Sequence, residues 1–93
     1  MAMLKTKDAS ASLCRKGFVE VVGKHHKYYF FHNNGIKTLI KTYISHGDKE
    51  LNDYLQGQMA KQTKLAKKDF VDLISCELSE EGYIKLLKAN RYL

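Results

Sequence analysis

Ninety-three residues, with sixteen Lys/Arg against ten Asp/Glu and a net charge of +6, suffice for one small domain and leave no room for a second. No stretch approaches the roughly 18 apolar residues of a bilayer span, and Met1-Ala2-Met3-Leu4-Lys5 lacks the apolar run of a secretory leader, so a soluble cytoplasmic protein is expected. Cys14 and Cys76 have no metal-ligand spacing and are expected to be buried, reduced thiols.

The positive charge is unevenly placed. Residues 1–49 hold nine basic and three acidic side chains, whereas residues 50–93 hold seven of each. All of the excess therefore belongs to the half that also carries the histidines, as a surface for phosphates would require.

In chain order, Thr6 or Asp8 can cap a first helix with Ala9, Leu13 and Cys14 on one face, and Gly17 is placed to end it. Residues 18–22 are β-branched and aromatic around a single charge, which predicts a strand ended by Gly23. Residues 24–32 and 36–44 read as two further strands joined at Asn33-Asn34-Gly35. Ser45 and Asp48 have the spacing of a capping box, and Leu51, Tyr54, Leu55, Met59 and Gln62 then fall on one face of a long helix. Residues 67–75 predict a third helix with Phe70, Leu73 and Ile74 inward. Ser79 caps a fourth, which turns Tyr83, Ile84, Leu86 and Leu87 to the core and ends near Asn90.

The register of the hairpin decides which side chains share a face. Asn34-Gly35 as a two-residue loop is the stronger local turn signal, and it would pair His25 with Ile44 and set His25, Lys27 and Tyr29 on the face of Ile40 and Ile44. A three-residue loop, Asn33-Asn34-Gly35, sorts the side chains by character instead. His26, Tyr28 and Phe30 then join Ile36, Ile40 and Ile44 in the core, while His25, Lys27, Tyr29, Phe31, Lys37, Leu39, Lys41 and Tyr43 form a basic, aromatic outer face. Burial normally outweighs turn preference, so the three-residue loop is expected, with His26 a core histidine.

Histidine takes and gives protons near neutral pH, and here it sits among lysines and tyrosines. His25 and His26, adjacent on a strand, point to opposite faces and cannot chelate one metal together. His25, beside Gly23 and near Lys24, Lys27, Lys37 and Lys41, suits chemistry on RNA. Internal attack needs one group to remove the 2′-OH proton, another to protonate the leaving 5′ oxygen, and cations to stabilise the phosphorane, with no metal required.

The order of these motifs carries a resemblance. Lys16-Gly17-Phe18, a strand, Gly23-Lys24-His25-His26, a hairpin, then His46-Gly47-Asp48-Lys49-Glu50-Leu51 and a helix resemble the HicA family of toxin ribonucleases over about residues 4–65. The resemblance implies an α+β fold like that of double-stranded RNA-binding domains, α-β-β-β-α with a three-stranded antiparallel sheet. Residues 1–65 would form this core and residues 66–93 a helical extension of the same domain. It further implies metal-independent cleavage of mRNA by a strand histidine, here His25, without a cofactor, and neutralisation by a HicB-like antitoxin. Catalytic support would come from His46 and Lys24, and RNA contacts from Lys24, Lys27, Tyr29, Lys37, Lys41 and Tyr43. Lys24 stands where the family has serine, the hairpin arms are a few residues longer, and residues 66–93 lie outside the match.

Two other functions compete. The same basic face could hold RNA without cutting it, by shape and phosphate contacts. Residues 55–74 have a rough likeness to a DNA-binding helix-turn-helix, but they lack the turn glycine and belong to the half with no net charge. The C-terminal helices would serve either a homodimer or closure of the core.

Overall fold

The computed structural model describes residues 3–93; Met1 and Ala2, which begin the terminus read above as leaderless, lie outside the described residues. The chain is α+β, in the order β1 (Leu4–Lys5), α1 (Thr6–Arg15), β2 (Phe18–Val22), β3 (His26–Asn33), β4 (Ile36–Ser45), β5 (Glu50–Leu51), α2 (Asp53–Gln62), α3 (Lys67–Ile74) and α4 (Glu80–Ala89). β2, β3 and β4 form an antiparallel sheet in that order, and β1 pairs with β5 as a separate two-residue ribbon. No helix among the described residues is long and apolar enough to cross a membrane.

Most helix ends follow local chemistry. Gly17 takes φ of +95° immediately after the C-cap of α1, a conformation that suits glycine. Ser79 caps α4 by accepting from the Gly82 N–H. The start of α1 differs from expectation, since Lys5 holds the cap position and Thr6 and Asp8 lie within the first turn. The start of α2 differs from the expected capping box. Asn52, not Ser45, is the cap, and its Oδ1 accepts from the Leu55 N–H at 2.9 Å. Ser45 ends β4, the Asp48 N–H donates to the Ser45 carbonyl in a turn, and β5 follows before the helix can begin. Tyr54, expected inward, consequently lies exposed.

The register is the main correction. Asn34 and Gly35 both take positive φ and form the two-residue loop, pairing Asn33 with Ile36 and His32 with Lys37. A bulge then sets residues 38–40 against Phe31, where Thr38 Oγ1 donates to the Phe31 carbonyl at 2.7 Å and accepts from the Ile40 N–H. Beyond the bulge Lys27 pairs with Ile44, Tyr29 with Thr42 and Tyr28 with Tyr43. The inner face therefore carries Tyr29, Phe31, Ile40, Thr42 and Ile44, all buried. The outer face carries His26, Tyr28, Phe30, Lys41 and Tyr43. His26 is thus not a core histidine. Phe18 decides the matter, because β2 pairs it directly with Phe31 and the two rings pack 5.2 Å apart.

The helices meet the inner face. From α1, the Ser10 hydroxyl lies 2.7 Å from the Tyr29 hydroxyl; from α2, Gln62 accepts from Thr42; from α4, the Tyr83 ring lies against Phe18 and Phe31. Phe70, Leu73 and Leu87 complete the same core, so both C-terminal helices are built into it. Lys16 is buried where α1 meets α3, and its Nζ donates to the Leu73 carbonyl in the last turn of α3 and to the Leu78 carbonyl just before α4. Both cysteines are exposed, contrary to expectation; Cys14 lies on the solvent side of α1, and Cys76 follows α3 in a turn with φ of +70°.

Burial raises the pKa of Tyr29 to about 12, and the neighbouring Glu20 carboxylate adds to the effect; burial raises Tyr83 still further. A tyrosine in an unfolded chain titrates near 10. Between about pH 10 and 12 the folded chain therefore holds protons that the unfolded chain releases, and stability must fall as pH rises. The urea midpoint is expected to be highest below pH 10 and to drop through that window. Tyr29→Phe should flatten the drop.

Candidate nucleic-acid interface

The site is built on the tight connection between β2 and β3. The Gly23 N–H donates to the His26 carbonyl at 2.7 Å, so Lys24 and His25 form a two-residue turn and β3 begins one residue after His25. Lys24 and His25 are both exposed at this tip. From the sequence they are expected in the strand itself; the close pairing of Val22 with Lys27 leaves them out of it.

His46 holds the tip from the other side. Its backbone N–H donates to the His25 carbonyl at 3.2 Å, and its Nε2 lies 2.8 Å from the Gly23 carbonyl. A carbonyl can only accept, so Nε2 carries the hydrogen, which leaves Nδ1 as the basic nitrogen of a neutral His46 ring. Two histidines, one exposed at the tip and one anchoring it, are thus brought to one end of the sheet from positions 21 residues apart.

Gly23 is required here by close approach. A Cβ at this position would lie 2.9 Å from the His26 carbonyl oxygen and 2.9 Å from a Tyr28 ring carbon, nearer than side chains tolerate. Gly23→Ala should therefore displace the tip. A shift of about 1 Å in reacting groups can cost on the order of 10²-fold in rate, so the variant should lose most of any cleavage activity and, because the clash is with backbone, should also melt below the wild type; unchanged activity would show that tip geometry is irrelevant.

The expected RNA contacts divide between the two faces. Lys37, Lys41 and Tyr43 lie on the outer face with Lys24 at its end, as expected. Tyr29 does not; it is buried, with its hydroxyl donating to Glu20 at 2.8 Å, and it is removed from the interface. Phe31 likewise belongs to the core. Lys27 turns toward α1, into a shallow groove with Lys7, Lys49 and Asp48. In their place the outer face gains His26, Tyr28 and Phe30. The signal in the sequence that identifies this face is Phe18, whose burial fixes the parity of β3.

Neighbouring rings line this face. His26 lies edge-on to Tyr43 at 5.0 Å, Tyr28 is 6.0 Å from both, and Tyr28 and Phe30 stack at 6.4 Å. Lys37 Nζ sits 4.0 Å above the Phe30 ring and Lys41 Nζ 5.9 Å from it. Glu20, the one acid within β2, β3 and β4, faces α1. Among the described residues the ion pairs are Lys67–Asp53 and Lys68–Asp72, both on helices, so the lysines of the outer face have no carboxylate partner. No cluster of three or more His, Cys, Asp or Glu side chains that could hold a metal ion occurs among the described residues.

Comparison with protein-family models, with characterised proteins and with solved structures gives no match.

Proposed function

We propose that this chain is a metal-independent endoribonuclease of the HicA kind, the toxin of a toxin–antitoxin pair, with His25 as its catalytic histidine. The observation that carries the reading is the placement of His25: exposed at the tip of a hairpin, next to the Lys24 cation, its backbone held by His46, and at the end of a sheet whose one strand acid, Glu20, faces α1. The succession α1-β2-β3-β4-α2, with α1 and α2 on one side of the sheet, supports a likeness to the double-stranded RNA-binding fold.

In this reading an RNA phosphate sits at the tip. His25 takes the 2′-OH proton, the 2′ oxygen attacks the adjacent phosphorus, and the bond to the 5′ oxygen breaks as that oxygen takes a proton from solvent, giving a 2′,3′-cyclic phosphate and a 5′-hydroxyl. Lys24, in the position of the family's serine, offsets the charge that builds on the phosphorane. His46 acts as a positioning residue through its two hydrogen bonds. A HicB-like antitoxin would neutralise the enzyme by covering His25 and Lys41 with acidic side chains of its own. The helix-turn-helix reading is weakened by Lys67 and Lys68, two cations of α3 that already lie against Asp53 and Asp72.

The test is incubation of the purified protein with end-labelled single-stranded RNA in EDTA, followed by denaturing and native gels. Fragments on the denaturing gel support the nuclease. Intact RNA that is retarded on the native gel supports a binding module without catalysis.

A further inference from the structure

We infer that the outer face of the sheet is a stacking platform for single-stranded RNA, which takes two or three unstacked bases on His26, Tyr28, Phe30 and Tyr43 and its phosphates on Lys37 and Lys41. The inference rests on the proposed function for the nature of the ligand, and it adds the class of substrate that the protein selects and the surface that selects it.

Four observations converge. First, the corrected register turns a run of aromatic side chains to the side opposite α1, whereas Tyr29, Phe31, Ile40, Thr42 and Ile44 on the inner face are buried. Second, the rings lie 5.0 to 6.4 Å from one another along β3 and β4, so that they form one continuous surface rather than isolated contacts. Third, Lys37 and Lys41 Nζ lie 4.0 and 5.9 Å from the Phe30 ring centroid, which places positive charge beside the rings, where a backbone would run. Fourth, the strands that form the face present no carboxylate to it, since Glu20 bonds to Ser10 and Tyr29 on the opposite side.

Rings and lysines on a sheet, without acids, match the chemistry of single-stranded nucleic acid, whose bases stack on aromatic side chains regardless of sequence while cations track the backbone. A duplex keeps its bases stacked inside and cannot use such a surface. The platform also has a direction. His26 follows His25 directly and pairs with Ser45 beside His46, so a strand laid along the rings reaches the tip at one end and Lys37 at the other.

The test is fluorescence anisotropy at low salt with a 2′-O-methyl oligonucleotide, which lacks the attacking hydroxyl and cannot be cleaved, as a single strand and as a duplex of the same sequence. The wild type is expected to prefer the single strand by tenfold or more. Tyr28→Leu and Tyr43→Leu, which keep an apolar side chain on the solvent face, are each expected to weaken single-strand binding about 5- to 100-fold, and circular dichroism melts at the wild-type midpoint establish that they fold. Lys37→Gln with Lys41→Gln should lower the salt slope of binding by about 0.7 for each phosphate no longer neutralised. Equal affinity for duplex and single strand, or leucine variants that bind as the wild type does, would overturn the platform; the latter is the outcome if this face docks a protein. If His25→Ala still cuts unmodified RNA while the leucine variants lose single-strand binding, the catalytic assignment fails and the platform stands.

Discussion

His25→Ala is expected to lower the rate of RNA cleavage about 10²- to 10⁴-fold, the range that a positioned acid or base contributes. The side chain is exposed at the tip and its backbone hydrogen bonds involve main-chain groups only, so the unfolding free energy from urea denaturation should stay within about 0.5 kcal/mol of the wild type. The separation of the two effects gives the prediction its force. His46→Ala removes the bond from Nε2 to the Gly23 carbonyl but keeps the backbone bond to His25, and it should reduce cleavage less than His25→Ala does. A larger loss at His46 than at His25 would exchange their roles.

The second large effect concerns the fold. Phe31→Ala is expected to destabilise the protein by about 3–5 kcal/mol, the usual loss on truncating a core aromatic residue. Phe31 has no exposed surface, and its ring meets Phe18 at 5.2 Å and Tyr83 at 5.0 Å, which ties β2 and β3 to α4. The collapse that softens such truncations is hindered because Gly17 also packs against this ring; a Cβ at Gly17 would approach a Phe31 carbon to 3.0 Å. Set against a typical stability of about 5–15 kcal/mol, the loss would leave a small domain close to unfolding at 37 °C. Urea denaturation measures it directly. A loss below about 1 kcal/mol would mean that the C-terminal helix is not built into the core through this ring.

The elements were legible because their signals are local. Gly17, Asn34-Gly35 and Ser79 each mark a boundary through their own backbone or side-chain chemistry, and the spacing of Phe70, Leu73 and Ile74 gives the buried side of α3. The register was not legible from the hairpin alone, because both faces of β3 and β4 carry aromatic and aliphatic residues. The bulge at residues 38–40 depends on the Thr38 hydroxyl finding the Phe31 carbonyl across the strands, a contact between residues seven apart that no periodicity announces. The short strands β1 and β5 exist through each other, Leu4 opposite Leu51, and neither has length enough to show in sequence.

The candidate site was legible in part. His25, Lys24 and His46 meet at one end of the sheet as the order of motifs suggested, because the two-residue turn and the end of β4 are fixed by the same ladder, His26 opposite Ser45. On β3 the inner and outer side chains of the expected hairpin are exchanged, whereas β4 keeps Ile40 and Ile44 inward and Lys37, Lys41 and Tyr43 outward. A one-residue error in pairing moves every side chain across the sheet, and it was enough to put Tyr29 at the interface and His26 in the core. The corrected face is the more coherent one, since it leaves Glu20 on the helix side and the lysines unopposed.

If His25 cleaves RNA by internal transesterification, the product ends carry the signature of that chemistry. Mass spectrometry of fragments formed from a defined single-stranded RNA in EDTA should show 2′,3′-cyclic phosphates and 5′-hydroxyls with the wild type and no fragments with His25→Ala. Fragments ending in 3′-hydroxyls and 5′-phosphates, equal cleavage by the two proteins, or intact RNA with the wild type would contradict it.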